Sequence, residues 1–319
     1  MEDIICIFCN IRSAQIVIEE NGYYGRKCPN CGLIFISPRP TSGEVLNLYA
    51  HDRAHVSAES HIRGRFGKGL CGRHNIAIIK GYIKSGSLLE IGAGAGYFLD
   101  KARKEGFEVC GIEFNRIQAD FINNILAIPC EVTALGESSF GGRKFNIIYH
   151  SDVISHFYDP IAEFQKMNEK LKQNGILVFE TGNLGDVKEE YFRFITKFQY
   201  PDHLFFFGEN NLKELLKLTG FELVKIYRYS ILLQLVIDKV LKKVVDLIKS
   251  KSKTENIDKR SITEGRLNIY NSNISGFRLK QLIKNTHRYL SYIVRYKIGY
   301  LMPKEGRPQT VIVIARKRK

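Results

Sequence analysis

The chain lacks an apolar run long enough to cross a bilayer. A membrane-spanning helix needs about 18 or more apolar residues in succession, and the best stretch, 231–248, is interrupted by Gln234, Asp238, Lys239 and three later charges. The first residues, MEDIICIFC, also lack the basic and then apolar segments of a secretion signal. Because disulfides are rare in reducing compartments, seven cysteines on such a chain favour a cytoplasmic location, with peripheral attachment to the inner face of the membrane left open.

Acidic residues are few compared with basic ones. The 319 residues include 33 Asp and Glu against 48 Lys and Arg, which gives a net charge of +15. Residues 229–308 hold 17 basic and 6 acidic side chains, so +11 of the excess lies in this segment. Concentrated positive charge predicts an anionic partner. The 44% share of hydrophobic residues is sufficient for a globular core.

The most informative motif is SLLEIGAGAGYFLD at residues 87–100. An apolar segment typical of a buried parallel strand runs into Gly92, Gly94 and Gly96, which allow a ligand to approach the backbone closely. A dinucleotide fingerprint, G-x-G-x-x-G, would require glycine at position 97, where Tyr97 stands. The motif therefore predicts a nucleotide site of another kind, with an ordinary glycine-rich turn as the alternative.

A second apolar segment, FEVCGIEFN at residues 107–115, ends in Glu113, which lies 21 residues beyond Gly92. In nucleotide-binding α/β sheets, an acid about 20 residues after the glycine turn accepts hydrogen bonds from the ribose hydroxyls. The end of the fourth strand, at His150, Ser151 and Asp152, is expected at the same edge of the sheet, where such folds bind ligands.

The spacing E-x-G-x-G-x-G, starting at Glu90, resembles motif I of the class I S-adenosylmethionine-dependent methyltransferases. The resemblance implies that Glu90 lies near the amino group of the methionine part and that the glycines face the methionyl and ribose parts. The predicted S-adenosylmethionine-binding residues are Glu90, Gly92, Gly94, Gly96, Tyr97, Glu113, Phe114, Ser151 and Asp152.

Two cysteine pairs, Cys6-x2-Cys9 and Cys28-x2-Cys31, are separated by 18 residues. This spacing is typical of two knuckles that close on one tetrahedral Zn²⁺, and four thiolate ligands indicate a structural rather than a catalytic site. Disulfides and a four-thiolate iron site are the alternatives.

The run CPNCGLIFISPRPT, followed by Tyr49, resembles the zinc-knuckle region that precedes a family of bacterial methyltransferases, many of which act on sugars or other cell-surface building blocks. The resemblance covers roughly residues 6–224 and the last strand. It implies an α/β fold with a Rossmann-like class I methyltransferase sheet, mostly parallel, whose last strand is antiparallel.

The predicted organisation has five segments. They are a zinc-knuckle lobe at 1–40, a helical cap at 41–86, an S-adenosylmethionine-binding core at 87–227, a basic helical insertion at 228–308, and the last core strand with a basic tail at 309–319. We expect cap helices at 42–50 and 75–84. In the core we expect a helix over 161–171 with Gly175 as its C-cap, and a helix over 211–218 capped by Glu209 or Asn210.

Two segments resemble family motifs near the methyl acceptor. DVISHFYDP at 152–160 keeps His156 but has Ser155 where an acid is usual, and QYPDHLFFF at 199–207 carries Tyr200 and His203. A neutral histidine with a pKa of about 6.5 is suited to accept the proton of an acceptor hydroxyl. The candidate bases are therefore His203, His156 and, at a strand end, Glu180. The alternative is a structural hydrogen-bonding role for each.

The basic insertion contains two helical patterns. Leu233, Val236, Ile237, Val240, Leu241, Val244, Val245 and Ile248 recur at helical spacing, and a tyrosine-rich helix is expected over 279–300. Packing on the domain is the first interpretation. Contact of 231–300 with an anionic membrane surface, or stacking on nucleic acid, is the alternative.

These features predict methyl transfer from S-adenosylmethionine to a small molecule or saccharide, such as a sugar nucleotide, a glycan or a lipid-linked sugar. An RNA methyltransferase that uses the knuckle and the insertion to hold RNA is the first alternative, although the fourth strand is followed by HSDV rather than an asparagine-proline-proline-aromatic motif. A non-catalytic S-adenosylmethionine-binding scaffold is the second.

Overall fold

The structure is a computed structural model that describes residues 1–52, 54, 56–253 and 274–318. Its N-terminal lobe consists of β1 (Ile16–Glu20), β2 (Tyr23–Lys27) and β3 (Ile34–Ile36), with β2 antiparallel to both neighbours. Asn21 and Gly22 join β1 to β2 with φ of 53° and 78°. Two successive positive φ angles are the signature of a type I′ turn, whose twist matches that of the flanking strands.

Three helices follow the lobe: α1 (Ser42–Ala50), α2 (Ala58–Arg63) and α3 (Arg65–Lys80). The first confirms the prediction of a helix at 42–50, and Thr41 and Glu44 form a capping box at its start. The prediction of a helix at 75–84 is wrong at both ends. α3 contains Gly67, Gly69 and Gly72, and the low helix propensity of glycine hid its first turns in the sequence.

Most of the remaining elements alternate between strand and helix. They are β4 (Gly86–Ile91), α4 (Tyr97–Lys104), β5 (Phe107–Ile112), α5 (Arg116–Asn124), β6 (Cys130–Glu131), β7 (Phe145–Ser151), α6 (Pro160–Lys170), β8 (Leu171–Gly182), β9 (Phe205–Phe206), α7 (Glu209–Leu218), β10 (Phe221–Ser230), α8 (Leu232–Lys253), α9 (Ile274–Ile293) and β11 (Gln309–Lys317). The helical path of α9 continues through a π-helical turn at Val294–Ile298 to Leu301.

Seven strands form the central sheet, in the order β10-β11-β8-β7-β4-β5-β6. β11 lies between β8 and β10 and is antiparallel to both, with Val313 opposite Phe179 on one side and Ile226 on the other. The pairs β7-β8, β4-β7, β4-β5 and β5-β6 are parallel. The predicted α/β sheet with an antiparallel last strand is confirmed.

The lobe has a sheet of its own, completed by a strand from the core. β9 pairs with β3, placing Phe205 opposite Phe35 and Phe206 opposite Ile34. Phe35 and Phe205 are completely buried. Lobe and core therefore share one apolar cluster, and the five-segment division stays a prediction.

Two details of the core differ from expectation. Gly175 does not cap a helix: α6 ends at Lys170 with Leu171 as its C-cap, and Gly175 lies inside β8. The cap of α7 is Gly208, whose N–H donates to Asn211 Oδ1 at 2.8 Å, rather than Glu209 or Asn210. Both errors shift a boundary by a few residues and leave the element in place.

The insertion forms the helices α8 and α9, as predicted, and residues 254–273 lie outside the described part of the chain. Of the predicted apolar stripe on α8, Leu233 and Val236 are half-buried, whereas Ile237, Val240 and Leu241 are exposed. The side chains of Val244, Val245 and Ile248 lie outside the described residues. Among the helices that the structure describes, a candidate membrane span was not found.

His150 points away from the expected cofactor edge, into the core. Its ring is completely buried and stacks on Phe179 at 5.0 Å, with the edges of Phe157 and Phe164 nearby. Neither ring nitrogen has a hydrogen-bond partner among the described residues. Burial lowers the pKa of His150 to about 3.

We expect the substitution His150→Phe to flatten the acid dependence of stability. In the unfolded chain His150 binds a proton below a pKa of about 6.5, whereas in the folded chain it does so only near pH 3. Between these values the free energy of unfolding therefore falls by about 1.4 kcal/mol for each unit by which the pH decreases. The stability of the variant relative to the natural chain should rise by about 2 kcal/mol from pH 7 to pH 5. Urea titrations measure this difference, and exposed His51→Phe is the control; a pH-independent difference for His150→Phe would contradict the assignment.

Candidate active site

A cleft of about 1180 Å³ opens at the carboxyl ends of the parallel strands. Gly92 follows β4, Glu113 follows β5, Asp152 follows β7 and Asn183 follows β8, and all four line the cleft. Residues from α1, α2 and α3 form one wall, and residues from α8 and α9 form another. The strand ends of the sheet therefore line one side of the cleft, and the cap and the insertion enclose its other sides.

The glycine turn between β4 and α4 depends on three left-handed residues. Gly92, Gly94 and Gly96 have φ of 66°, 56° and 69°. A Cβ on Gly92 would lie 2.6 Å from Val153 Cγ2, and one on Gly96 would lie 2.7 Å from Ile122 Cγ1. Glycine is required at both positions by backbone conformation and by space.

Glu113 closes the turn from the second strand. One carboxylate oxygen accepts a hydrogen bond from Gly94 N at 2.7 Å, and the other accepts one from Asn115 N at 2.9 Å. Burial raises the pKa of this carboxyl, and the backbone donors oppose the shift. Each carboxylate oxygen has a second lone pair, so Glu113 can accept further hydrogen bonds from a ligand.

Several buried acceptor atoms in the cleft lack a partner among the described residues. They include Glu90 Oε2, Asn75 Oδ1 and Gln118 Oε1. Burial raises the pKa of Glu90, a shift that nearby Lys68 opposes. Unsatisfied buried acceptors are rare because each one loses its hydrogen bonds with water. Their presence fits S-adenosylmethionine, whose ammonium, hydroxyl and amine groups are donors.

The other predicted cofactor residues also line the cleft. Tyr97 is anchored by its hydroxyl, which donates to Ile62 O at 2.5 Å, and Phe114 is 41% exposed. Ser151 and Asp152 end β7, where Asp152 has φ of 55° and its N–H donates to Glu180 O at 2.9 Å. The structure brings these residues together, while their contact with the cofactor stays a prediction.

His156 and His203 lie together further along the cleft. Their rings meet edge to face with centroids 4.6 Å apart. His156 Nδ1 lies 2.7 Å from the Tyr49 hydroxyl and 2.9 Å from Asp202 O. Tyr200, expected on the substrate side, does not line the cleft: it is buried in the lobe, with its hydroxyl beneath Gly25.

Glu180, the third predicted base, is held by two neighbours. Its oxygens accept hydrogen bonds from Asn75 Nδ2 at 2.6 Å and from the Tyr296 hydroxyl at 2.5 Å. Burial raises the pKa of Glu180, and the charge of Asp152 adds to the shift. A fully buried carboxyl with both oxygens engaged is well placed to position its neighbours, and a role as base stays a prediction.

Comparison with known proteins identifies the domain around this cleft. Residues 73–226 match a protein-family model described as a methyltransferase domain. Residues 73–226 thus form a methyltransferase domain, and the chain is an S-adenosylmethionine-dependent methyltransferase with the Rossmann-like fold of class I. The fold agrees with that of phosphoethanolamine N-methyltransferase 2 from Haemonchus contortus, solved with S-adenosylmethionine, at a TM-score of 0.50 and 18% identity over 90% of this chain and 62% of that one.

Two curated relatives are similar to parts of this methyltransferase. A tRNA U34 carboxymethyltransferase from Campylobacter jejuni is 31% identical over 108 residues, which are 31% of this chain and 36% of the relative. A ubiquinone biosynthesis O-methyltransferase from Cereibacter sphaeroides is 28% identical over 103 residues, which are 30% of this chain and 41% of the relative. The chain thus spans well under half the length of either relative.

The four predicted metal ligands converge at one point of the N-terminal lobe. The sulfur atoms of Cys6, Cys9, Cys28 and Cys31 all lie within 4.8 Å of one another. Each pair opens a similar knuckle: Asn10 N donates to Cys6 O and Gly32 N donates to Cys28 O, both at 2.9 Å and both from a residue with positive φ. Zinc bonded tetrahedrally to sulfur at about 2.3 Å fits such a cluster.

Sequence reasoning missed the cleft residues of α3. Lys68, Cys71, Gly72 and Asn75 all line the cleft and follow the i, i+3, i+4, i+7 spacing of one helix face. This spacing could have identified the cleft-facing side of α3, but only if the helix had been predicted to begin at Arg65. Gln118 was missed as well, although it lies in the first turn of α5, shortly after the acid of the second strand.

We expect Gly92→Ala to weaken S-adenosylmethionine binding at least about tenfold, because the new Cβ must displace Val153 and the turn. Isothermal titration of the folded variant measures this loss. Gly22→Ala is the matched control: its φ is 78° but a Cβ there meets nothing within 4 Å, so it carries similar backbone strain without a clash. Unchanged affinity in Gly92→Ala would exclude the turn as the cofactor site.

Proposed function

We propose that this methyltransferase acts on a hydroxyl of a saccharide acceptor, such as a sugar nucleotide, a glycan or a lipid-linked sugar. The observation that carries the proposal is the pair His156 and His203 in the same cleft as the glycine turn and Glu113. A hydroxyl must lose its proton as it attacks, and a positioned histidine can remove it.

When bound, S-adenosylmethionine would supply a methyl group carried on a sulfonium sulfur, and that sulfur would be the leaving group for attack by the acceptor oxygen. The glycines, Glu90 and Glu113 would hold the cofactor, and the walls of the cleft would exclude water. His203 would take the proton of the acceptor hydroxyl. His156, tied to Tyr49 and to the backbone at Asp202, would orient His203 through their edge-to-face contact.

RNA is the second candidate acceptor, supported by the similarity to a protein named as a tRNA U34 carboxymethyltransferase. The basic insertion offers charge for phosphate contacts, which would make binding steeply salt-dependent. The limited span of that similarity and the adjacent pair of His156 and His203 in the cleft favour the saccharide.

A methyl-transfer assay separates the candidates. Labelled S-adenosylmethionine is incubated with the full chain and with sugar nucleotides, isolated glycolipids or total tRNA. We expect label on a saccharide, and a fall in kcat of about 100-fold or more in His203→Asn with unchanged cofactor affinity. His51→Asn, at an exposed histidine, is the control. Label on tRNA alone would overturn the saccharide proposal, and cofactor binding without transfer to any acceptor would favour a scaffold.

We also propose that the cysteine cluster holds one structural Zn²⁺. The closeness of the four sulfurs and the two matching knuckles support it. Cys6 and Cys28 belong to the apolar cluster shared by lobe and core, so metal bound there would fix the lobe against the core. A cytoplasmic location, and contact of the exposed α8 and α9 surfaces with an anionic membrane, stay predictions.

Metal analysis should find about one zinc per chain, and Cys28→Ser should lose it. The variant should also melt at a lower temperature, since structural zinc contributes on the order of 10 kcal/mol to the folding of such knots. Cys71→Ser, at a half-buried cysteine outside the cluster, should keep the metal. Iron in place of zinc would assign a different metal, and a metal-free, fully folded natural chain would refute the site.

A further inference from the structure

Each insertion helix turns one face towards the cleft. On both helices the lining residues follow the i, i+3, i+4, i+7 spacing of a single face. They are Ile231, Gln234, Leu235 and Asp238 around the start of α8, and Arg288, Ser291, Tyr292 and Arg295 along α9 and its continuation. The insertion is therefore part of the site, and the face that α9 presents is basic and polar.

Arg295 is the cation at the C-terminal end of this face. Its Nε donates to Gln234 Oε1 at 3.1 Å, and its guanidinium carbon lies 5.8 Å from the centre of the Tyr296 ring. Within the described part of the chain it forms no ion pair with a carboxylate. The two terminal nitrogens, with four N–H donors, lack a hydrogen-bond partner among these residues. Arg295 is half-buried, so these donors are available to an anionic ligand in the cleft.

The nearby acids do not serve as direct partners of Arg295. Both oxygens of Glu180 are engaged by Asn75 and Tyr296. Asp238, on the facing helix, lies 3.3 Å from His287 Nε2. Asp152 is exposed at the end of β7. Desolvation disfavours the charge on Arg295, but Tyr296 and Glu180 more than offset it and raise its pKa, so the guanidinium stays charged.

Arg288 adds a second cation to the same face, two helical turns before Arg295. Its aliphatic chain packs over α3, where a Cβ on Gly67 would lie 3.3 Å from Arg288 Cδ. Its single hydrogen bond within the described residues, to Arg63 O, is long at 3.4 Å. The fork of donors on a guanidinium matches the oxygens of a phosphate.

We propose that Arg295, held by Gln234 and assisted by Arg288, binds a phosphate or diphosphate group of the methyl acceptor. This inference rests on the proposed function, because it assigns the acceptor end of the same cleft. It implies an acceptor that carries its phosphate close to the methylated part, as a sugar nucleotide does. The cofactor end of the cleft is then acidic, and the acceptor end is basic.

Isothermal titration of the full chain, saturated with S-adenosylhomocysteine, tests the subsite with inorganic pyrophosphate and uridine diphosphate as probes. We expect Arg295→Gln to weaken probe binding at least about tenfold, with Arg295→Lys between it and the natural chain because lysine cannot bind two oxygens in a fork. Arg316→Gln, at an exposed arginine on β11, is the matched control. Cofactor affinity, measured separately on the same samples, should change less than about twofold.

In turnover with a phosphate-bearing acceptor, Arg295→Gln should raise KM and leave kcat nearly unchanged. Equal probe affinity in all variants, or no probe binding by a natural chain that binds the cofactor normally, would overturn the subsite. Loss of cofactor binding together with probe binding in Arg295→Gln would also overturn it and show a structural role. A natural chain that fails to bind the cofactor would instead refute the proposed function. Binding of tRNA but not of either probe would assign the cations to RNA.

Discussion

The buried carboxylate of Glu180 joins the three layers that enclose the cleft. This residue lies near the end of β8 in the sheet. It accepts one hydrogen bond from Asn75 of the cap and another from Tyr296 of the insertion. A buried carboxylate without donors is strongly unfavourable, so both partners must stay in place. The geometry of the site therefore depends on this contact. If the cap and the insertion moved apart, Glu180 would lose one of its two hydrogen bonds or become exposed to solvent.

A second constraint runs from the cysteine cluster to His203. The second knuckle leads directly into β3, and β3 pairs with β9, the strand that begins two residues after His203. Leu204 lies between His203 and β9. Its N–H donates a hydrogen bond to Ser155 O at 2.7 Å, and its carbonyl oxygen accepts one from Ile36 N at 3.0 Å. These bonds tie the segment of His203 both to the lobe and to the segment of His156. The lobe, though far from the cofactor in sequence, thereby fixes the separation of the two histidines.

The cofactor end could be predicted from sequence because it is local. Residues 90–113 hold the glycine turn and both acids, and a strand-turn-helix unit places them without help from distant segments. The acceptor end could not. The role of Arg295 depends on its contact with Gln234, 61 residues away in sequence. The role of Asn75 likewise depends on its contact with Glu180. His150 was misjudged because a strand alternates between faces, and its side chain lies on the face that packs into the core. Tyr200 was misjudged because its burial depends on Gly25 of the lobe, which is distant in sequence.

The division between a local cofactor end and a dispersed acceptor end bears on what the insertion does. Tyr292 of α9 and Tyr296 of the π-helical turn that follows it pack against His74 of the cap, with the ring centroids of Tyr296 and His74 4.2 Å apart. This packing fixes the backbone beside Arg295, and the apolar contacts thus hold a charged group that has no carboxylate partner of its own within the described chain. A helix that only covered the sheet would need no such cation on its inner face. An insertion that recognises an anionic acceptor does need such a cation. The insertion can then differ between acceptors while the glycine turn and its acids stay the same.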